Sequence, residues 1–336
     1  MRQKYTPSAN PIAQKLSFWF LKNARVLPWR SQPEPYYVWL SEVMLQQTQV
    51  TAVIPYFNKF IKKFPRVENL ANASLDEVYS LWAGLGYYSR ARNLHAGAKA
   101  IQLRIQNKIG FPSNREEWLG IPGVGEYTAG AVCSIAFNQR EAIVDGNVVR
   151  VLSRVYAIGK TDSKKTQIWD HARQIVLEKK SEPRVVNQAL MELGALICKP
   201  KNPKCSECPL EKICLGKNKP EIYPAPKPKK IWKQVKEECW VFLNKKRVFL
   251  MQNQEAKWRK GLWDFPVSNA FTVAKAKLLN EEITRYVVTQ HKVERKHFVF
   301  QLSDEQAKKI SKFGTWFSDK ELPGVPAPVK KFIAKL

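Results

Sequence analysis

The chain has 336 residues, more than one hydrophobic core ordinarily organises, so two domains are expected. Its 56 Lys and Arg against 29 Asp and Glu leave a net charge of +27, a self-repulsion that calls for a polyanionic partner, nucleic acid first. A hydrophobic content of 44% excludes wholesale disorder, no run is apolar for long enough to span a bilayer, and residues 1–15 lack the apolar segment of a signal peptide. The expectation is a cytoplasmic, nucleoid-associated protein with no membrane partner.

The first two thirds read as helical. Asn10 and Pro11 form a start signal, a capping side chain followed by proline at the first helical position, with Ile12, Leu16, Trp19 and Phe20 following on one face. Residues 38–54 form a second apolar-patterned helix, ended by Pro55. Ser74 with Glu77, and Ser113 with Glu116, fit capping boxes. Asp145 and Asn147 precede a helical run over 148–158. Nothing here alternates with period two, so residues 1–215 are predicted to be an all-α domain. From 216 to 236, Pro220, Pro224, Pro226 and Pro228 stand among lysines as an extended linker. Beyond it, 239–243 and 247–251 read as a β-hairpin, 273–282 as a helix and 286–302 as further strands, a separate α+β domain over 237–336.

Cys198, Cys205, Cys208 and Cys214 crowd into one short segment. Zinc ribbons usually bring two CxxC pairs from opposite ends of a longer loop, and only one such pair exists here. The uneven spacing within one stretch suits a [4Fe–4S] cluster better than zinc, which stays the alternative. Cys133 and Cys239 lie in apolar surroundings and read as core residues.

Residues 119–125, containing Ile121, Gly123 and Gly125, lie between a short capped helix and a helical run. Glycines at 123 and 125 permit positive φ and bring amide N–H groups close to a ligand. The functional reading is a helix–hairpin–helix that grips a DNA phosphate; an ordinary turn between helices uses the same residues.

Five motifs occur in order: Glu42-Val-Met-Leu-Gln-Gln-Thr-Gln49, Gly84-Leu-Gly-Tyr-Tyr88, Ile121-Pro-Gly-Val-Gly-Glu-Tyr-Thr-Ala129, Val144-Asp-Gly-Asn-Val148 and the four-cysteine loop. Together they closely resemble the helix–hairpin–helix DNA glycosylase superfamily, and within it the MutY-type adenine glycosylases. The resemblance covers nearly the whole chain and implies a Nudix-like C-terminal domain. It also implies removal of adenine mispaired with 8-oxoguanine or guanine in double-stranded DNA, by a protein expected to be a monomer.

Breaking a C1′–N bond requires an acid to protonate the base and an anion to steady the cationic sugar. Glu42, flanked by Leu40 and Val43-Met44-Leu45, sits where burial would raise its pKa and keep a proton available. By resemblance it protonates adenine and later activates water. Asp145, before a helix start, is expected to be held ionised by local amides and Asn147, and by resemblance stabilises, or transiently bonds, the sugar cation. In glycosylase/lyases of this superfamily a lysine occupies the position of Tyr127. A tyrosine hydroxyl hydrogen-bonds but forms no imine, so a monofunctional enzyme is expected.

The base must leave the stack to be reached. Gln47 and Tyr87 match the family's wedge positions, and Gln46 and Gln49 recur four and seven residues after Glu42, as if on its helical face. Arg25, Trp29, Arg30 and Gln188 resemble adenine-pocket residues. In the C-terminal domain the 261–266 run Gly-Leu-Trp-Asp-Phe-Pro is the clearest family mark. Only Glu281 and Glu282 stand where a Nudix hydrolase needs several spaced glutamates for magnesium, so no pyrophosphatase activity is expected. Where the family carries Phe-Ser-His against the damaged base, this chain reads Arg295-Lys296-His297. His297 is then either a contact to the damaged base or an ordinary strand-surface histidine, and the two cations are candidate phosphate contacts.

Overall fold

The computed structural model describes residues 6–159, 164–225, 230–254, 259–267, 273 and 275–336. They divide into two compact units, one formed by residues 1–68 and 96–227, the other by 69–95 and 228–336.

Among the described residues twelve α-helices precede the first strand: α1 (Ala9–Asn23), α2 (Pro28–Ser31), α3 (Pro35–Leu45), α4 (Val50–Lys63), α5 (Val67–Asn72), α6 (Leu75–Trp82), α7 (Ser89–Gln106), α8 (Arg115–Leu119), α9 (Glu126–Ile135), α10 (Gly146–Val155), α11 (Lys164–Leu177) and α12 (Pro183–Leu196). Two of the three boundaries between the units fall inside α5 and α7. The helical unit's core joins four amphipathic faces: Ile12, Leu16 and Phe20 of α1, Val148, Val151, Leu152 and Val155 of α10, Ile168, Ala172 and Ile175 of α11, and Val186, Ala189, Leu190 and Leu193 of α12. Spacings of three and four place each set on one side of its helix. Emptying one such position, Leu16 to alanine for example, costs about 2–5 kcal/mol.

Several local expectations shift. α1 begins at Ala9 with Ser8 as its N-cap position, two residues before the expected cap at Asn10. The helix expected over 38–54 is two: α3 ends at Leu45, Gln47 takes a left-handed φ of 56°, and α4 restarts at Val50 and runs through Pro55. Neither glycine nor proline marks that break. Pro55 is tolerated because Val53, Phe57 and Phe60 bury one face across it. The Ser74–Glu77 capping box is present, whereas the cap of α8 is Asn114, not Ser113, whose N–H instead donates to Glu117.

The strand unit holds β1 (Lys233–Asn244), β2 (Arg247–Gln252), β3 (Trp263–Asp264), β4 (Lys277–Val288), β5 (His291–Gln301), α13 (Asp304–Ile310), β6 (Thr315–Ser318) and α14 (Ala327–Ile333). The sheet order is β3-β2-β1-β5-β4, with β6 on β2. β1 and β5 run parallel, Val235 beside Val293 and Val241 beside Val299, and the other pairings are antiparallel. The 239–243/247–251 hairpin is as expected, and Cys239 is buried, as is Cys133 in α9. The helix expected over 273–282 is not: apart from residue 274, which lies outside the described residues, the segment leads into β4, paired with β5 along its length. The β-branched and aromatic residues from Ile283 to Val288 extend the strand backward, and cross-strand pairing overrides the helix preference of the alanines and lysines.

Candidate active site

α3 is apolar nearly all round, with Tyr36, Val38, Trp39, Leu40, Val43 and Met44 buried. A helix of that kind belongs inside a protein, and it carries one carboxylate in with it. Glu42 is 5% exposed. Opposite it, α9 starts at Glu126 after the hairpin, so Tyr127 is its second residue; the Tyr127 hydroxyl donates to Glu42 Oε2 at 2.6 Å and lies 3.4 Å from Met191 Sδ. Burial pushes Glu42 up to about 7; the Tyr127 hydrogen bond works against this, the nearby Asp145 adds to it, and Arg30 opposes it. Tyr127 is raised well above the ordinary tyrosine range by burial and by Glu42, so its hydroxyl keeps its proton.

Asp145 caps α10, accepting from Val148 N–H at 2.7 Å and from Asn147 Nδ2 at 2.8 Å. The donors foreseen for it are in place, yet its pKa lies above the ordinary aspartate value because burial outweighs them. α12 approaches this turn closely: a Cβ at Gly194 would sit 2.5 Å from Asn147 Cβ and 3.0 Å from its Cα. Only glycine allows that approach, which brings Gln188, Met191 and Glu192 of α12 to the same cavity.

The cavity is about 510 Å³, within the range of small-molecule pockets, roughly 300–1,000 Å³. It gathers Glu42, Asp145, Tyr127, Arg25, Trp29, Arg30, Gln46, Gln47 and Gln188. Trp29 is buried edge-on to Phe57 at 5.3 Å. Gln188 Oε1 accepts from Arg30 Nε at 2.9 Å while its amide donates to the Arg184 carbonyl at 3.2 Å. Gln49 is exposed as the N-cap residue of α4 and is not among the lining residues. Gln46 and Gln49 therefore do not share a helical face with Glu42, because the helix has ended. Tyr87 belongs to the strand unit, exposed and left-handed with φ 48°.

Sequence reasoning missed Glu192. It is 1% exposed, and Arg25 grips it with Nε at 2.7 Å and Nη2 at 2.8 Å while Arg30 Nη2 reaches it at 2.9 Å. Burial would raise this carboxyl, but the two guanidinium groups outweigh burial and pull it down to about 2. A lone acid in the apolar run 189–196, four residues after Gln188, was the available signal.

In the hairpin, Ile121 is buried, Gly123 takes φ +79°, and Gly125, the N-cap of α9, takes φ −108°. Positive φ is thus required at 123 and not at 125. A Cβ at Gly125 would meet nothing within 4 Å, so the ground before the first turn of α9 is open.

Cys198, Cys205, Cys208 and Cys214 line one small cavity of about 30 Å³, and Cys198, Cys208 and Cys214 pack against the helical core. Among the described residues no three Cys, His, Asp or Glu side chains converge as for a single metal ion. Four thiols spread around one cavity, with Arg154 Nη1 donating to Cys198 Sγ at 3.3 Å, fit the donor set of a [4Fe–4S] cluster. Arg150 Nε also donates to the Cys198 carbonyl at 2.7 Å, and its Nη2 to Asn147 Oδ1 at 2.8 Å, so the loop and the Asp145 turn share a partner.

The strand unit corrects two expectations. Along β5, Val293, Arg295, His297 and Val299 alternate inward, so His297 is buried, not on the strand surface. Its ring stacks on Phe332 at 3.9 Å, Nε2 lies 2.8 Å from Thr284 Oγ1 and Nδ1 lies 3.3 Å from Cys239 Sγ. Arg295, offered as a phosphate contact, is buried as well and pairs with Asp264 Oδ1 at 2.8 Å. Lys296 points outward and pairs with Glu281 at 2.7 Å, and Glu282 pairs with Lys335 at 2.7 Å.

Residues 40–175 match the HhH-GPD superfamily of base excision DNA repair proteins, and residues 198–214 match the iron-sulfur binding domain of endonuclease III. The adenine DNA glycosylase of Buchnera aphidicola subsp. Baizongia pistaciae is 34% identical over 345 residues, covering 93% of this chain and 92% of that one. The human adenine DNA glycosylase is 46% identical over 214 residues, 60% of this chain. The chain spans about two fifths of the length of the mammalian relatives it matches. Among solved structures, a thermostable thymine-DNA glycosylase superposes with a TM-score of 0.55 at 29% identity, over 63% of this chain and 97% of that one.

Proposed function

The chain belongs to the adenine DNA glycosylase family of the helix–hairpin–helix base-excision repair superfamily, and from that premise we propose that it excises adenine opposite guanine or 8-oxoguanine in duplex DNA. Excision falls to residues 1–215, residues 216–236 connect, and 237–336 face the opposite base. It works as a monomer inside the cell.

The observation that carries this reading is the pair Glu42 and Tyr127 in one cavity with Asp145, a carboxylic acid poised near pH 7 beside a carboxylate capped by two donors. Two carboxyls in different surroundings divide acid and anion roles. Glu42 gives its proton to N7 of an everted adenine, and the C1′–N9 bond breaks with its electron pair leaving on the purine. The Asp145 carboxylate steadies the cationic C1′. Water then attacks C1′ and releases a proton to the Glu42 carboxylate, which restores the acid. Tyr127 holds Glu42 in place and offers no amine for strand cleavage. Arg25, Arg30 and Gln188, locked to one another and to Glu192, give the adenine a rigid wall, with Trp29 as its apolar side. Gln47 and Tyr87 enter the vacated gap, Gln46 lines the entry, and Ile121 to Gly125 take a phosphate. A [4Fe–4S] cluster on the four cysteines, when bound, braces the loop that Arg150 and Arg154 hold.

Labelled duplexes carrying A opposite 8-oxoguanine, A opposite G and T opposite G test the reading. Breaks are expected at adenine only, and only after alkali. Breaks without alkali, or at thymine, would overturn it.

A further inference from the structure

The segment from Trp82 to Arg90 is an unusually constrained loop. Gly84, Gly86 and Tyr87 all take positive φ, at 110°, 70° and 48°. For glycine that conformation is free; for tyrosine it is disfavoured and persists only where neighbours enforce it. The enforcing neighbour is Arg90. It is 8% exposed, and its Nη2 donates to the carbonyls of Leu85 and Gly86, both at 3.2 Å, the two residues directly before Tyr87. Its guanidinium lies 5.4 Å from the centroid of the Tyr87 ring and 5.4 Å from that of Trp82. Trp82 Nε1 fastens the same Gly86 carbonyl at 3.1 Å. Tyr87 itself is 41% exposed. Burial lowers Arg90 only to about 10, so it remains a cation at neutral pH.

We propose that Arg90 is a positioning residue that holds the Tyr87 ring in the conformation that enters the DNA stack. This rests on the reading of Tyr87 as a residue that fills the gap left by the everted base. The planar fork of arginine is what the geometry uses: the guanidinium lies within 5.4 Å of two ring centroids while Nη2 reaches two carbonyls. A lysine keeps the charge and the donors but lacks the planar fork that makes both contacts from one fixed geometry. Were the loop unfastened, Tyr87 would relax toward ordinary φ values, and the cost of ordering it would fall on the base-eversion step that follows DNA binding.

The test compares Arg90→Met, Arg90→Lys, Tyr87→Ala and the Tyr87→Ala/Arg90→Met double variant. Two readouts are taken: the fluorescence rise of 2-aminopurine placed opposite G in a duplex, and the single-turnover rate on an A opposite G duplex at saturating protein. Arg90→Met is expected to slow excision roughly ten-fold and to blunt the fluorescence rise, with affinity changed far less. Arg90→Lys should be nearly as impaired, and the double variant no slower than Tyr87→Ala alone. A fully active Arg90→Lys would reduce the role to charge and overturn the proposal. So would a double variant slowed by both factors in full, or a Tyr87→Ala protein that everts 2-aminopurine normally. Wild-type protein that fails to excise adenine would overturn the reading of the pocket instead, since the fluorescence comparison requires only DNA binding. Should Arg90→Met not fold, Arg90→Lys against Tyr87→Ala decides on the same readouts.

Discussion

The helical unit and the strand unit both bury charge, in opposite ways. In the strand unit Arg259 and Arg295 face Glu237 and Asp264, two cations against two anions, with separations from 2.7 to 3.8 Å. Beside them burial and Arg295 push His297 down to about 4, so it is neutral. In the helical unit Arg25 and Arg30 are both engaged by Glu192, and among the described residues no cation forms an ion pair with Glu42. Burial then keeps Glu42 protonated up to about 7. A charge matched to its partner holds a fold together; an acid left unmatched in a cavity is available for chemistry.

The largest expected effect tests the unmatched acid. Glu42→Gln keeps the shape and removes the proton, so single-turnover adenine excision should fall about 1,000-fold, within the usual contribution of a positioned acid, while DNA affinity holds. Unchanged turnover would place the acid elsewhere. Next comes the matched cluster: Arg295→Met leaves Asp264 and Glu237 short of one buried cation and should cost about 3–5 kcal/mol in urea unfolding. A loss below about 1 kcal/mol would show those charges to be solvated, erasing the contrast between the units.

The two clusters were unequally legible in the sequence. Glu42, Asp145 and Tyr127 stand in short local motifs, and each motif reports a local fact: an apolar helix, a helix start, a residue just after a hairpin. What the sequence hid was long-range. Glu192 acquires meaning only when Arg25, 167 residues away, closes on it. The break between α3 and α4 rests on one left-handed glutamine, with no glycine or proline to announce it. Period-two alternation on β5 left open which phase faces inward, and the answer depends on the parallel pairing of Cys239 with His297. With the phase unknown, Arg295 reads as a phosphate contact and His297 as either a base contact or a surface histidine, and the partners that neutralise Arg295 could not be named.

Acid should separate the units further. His297 ordinarily titrates near 6.5, and its pKa in the folded protein is about 4. Between those values the unfolded chain binds more protons than the folded one, so the strand unit loses stability as pH falls from 6.5 to 4, by about 2–3 kcal/mol. Glu42 has the opposite sign. Its pKa in the folded protein is raised, so the helical unit gains stability as pH falls from about 7 toward 4.5. Thermal unfolding followed at pH 7.5 and pH 5 should show His297→Gln removing the acid-side loss and Glu42→Gln removing the acid-side gain. Parallel responses in the two variants would refute the assignment of these groups.

The smallest effect isolates one hydrogen bond. Tyr127 donates to Glu42 and thereby favours the carboxylate, against the burial that favours the acid. Tyr127→Phe removes that donor and little else, since Met191 Sδ is a weak acceptor for the same hydroxyl. Glu42 should then hold its proton more tightly, and the alkaline limb of the rate against pH should move upward by roughly one on the pH scale, as losing about 1 kcal/mol implies. At its optimum the variant should be slower, by roughly five-fold, because the acid is no longer aimed. The two changes discriminate between roles: a tyrosine that only packed would slow the reaction without moving the limb, and a tyrosine acting as the acid itself would abolish excision. A limb that moved downward would mean that the hydroxyl stabilises the protonated form, reversing the order of proton transfer derived above.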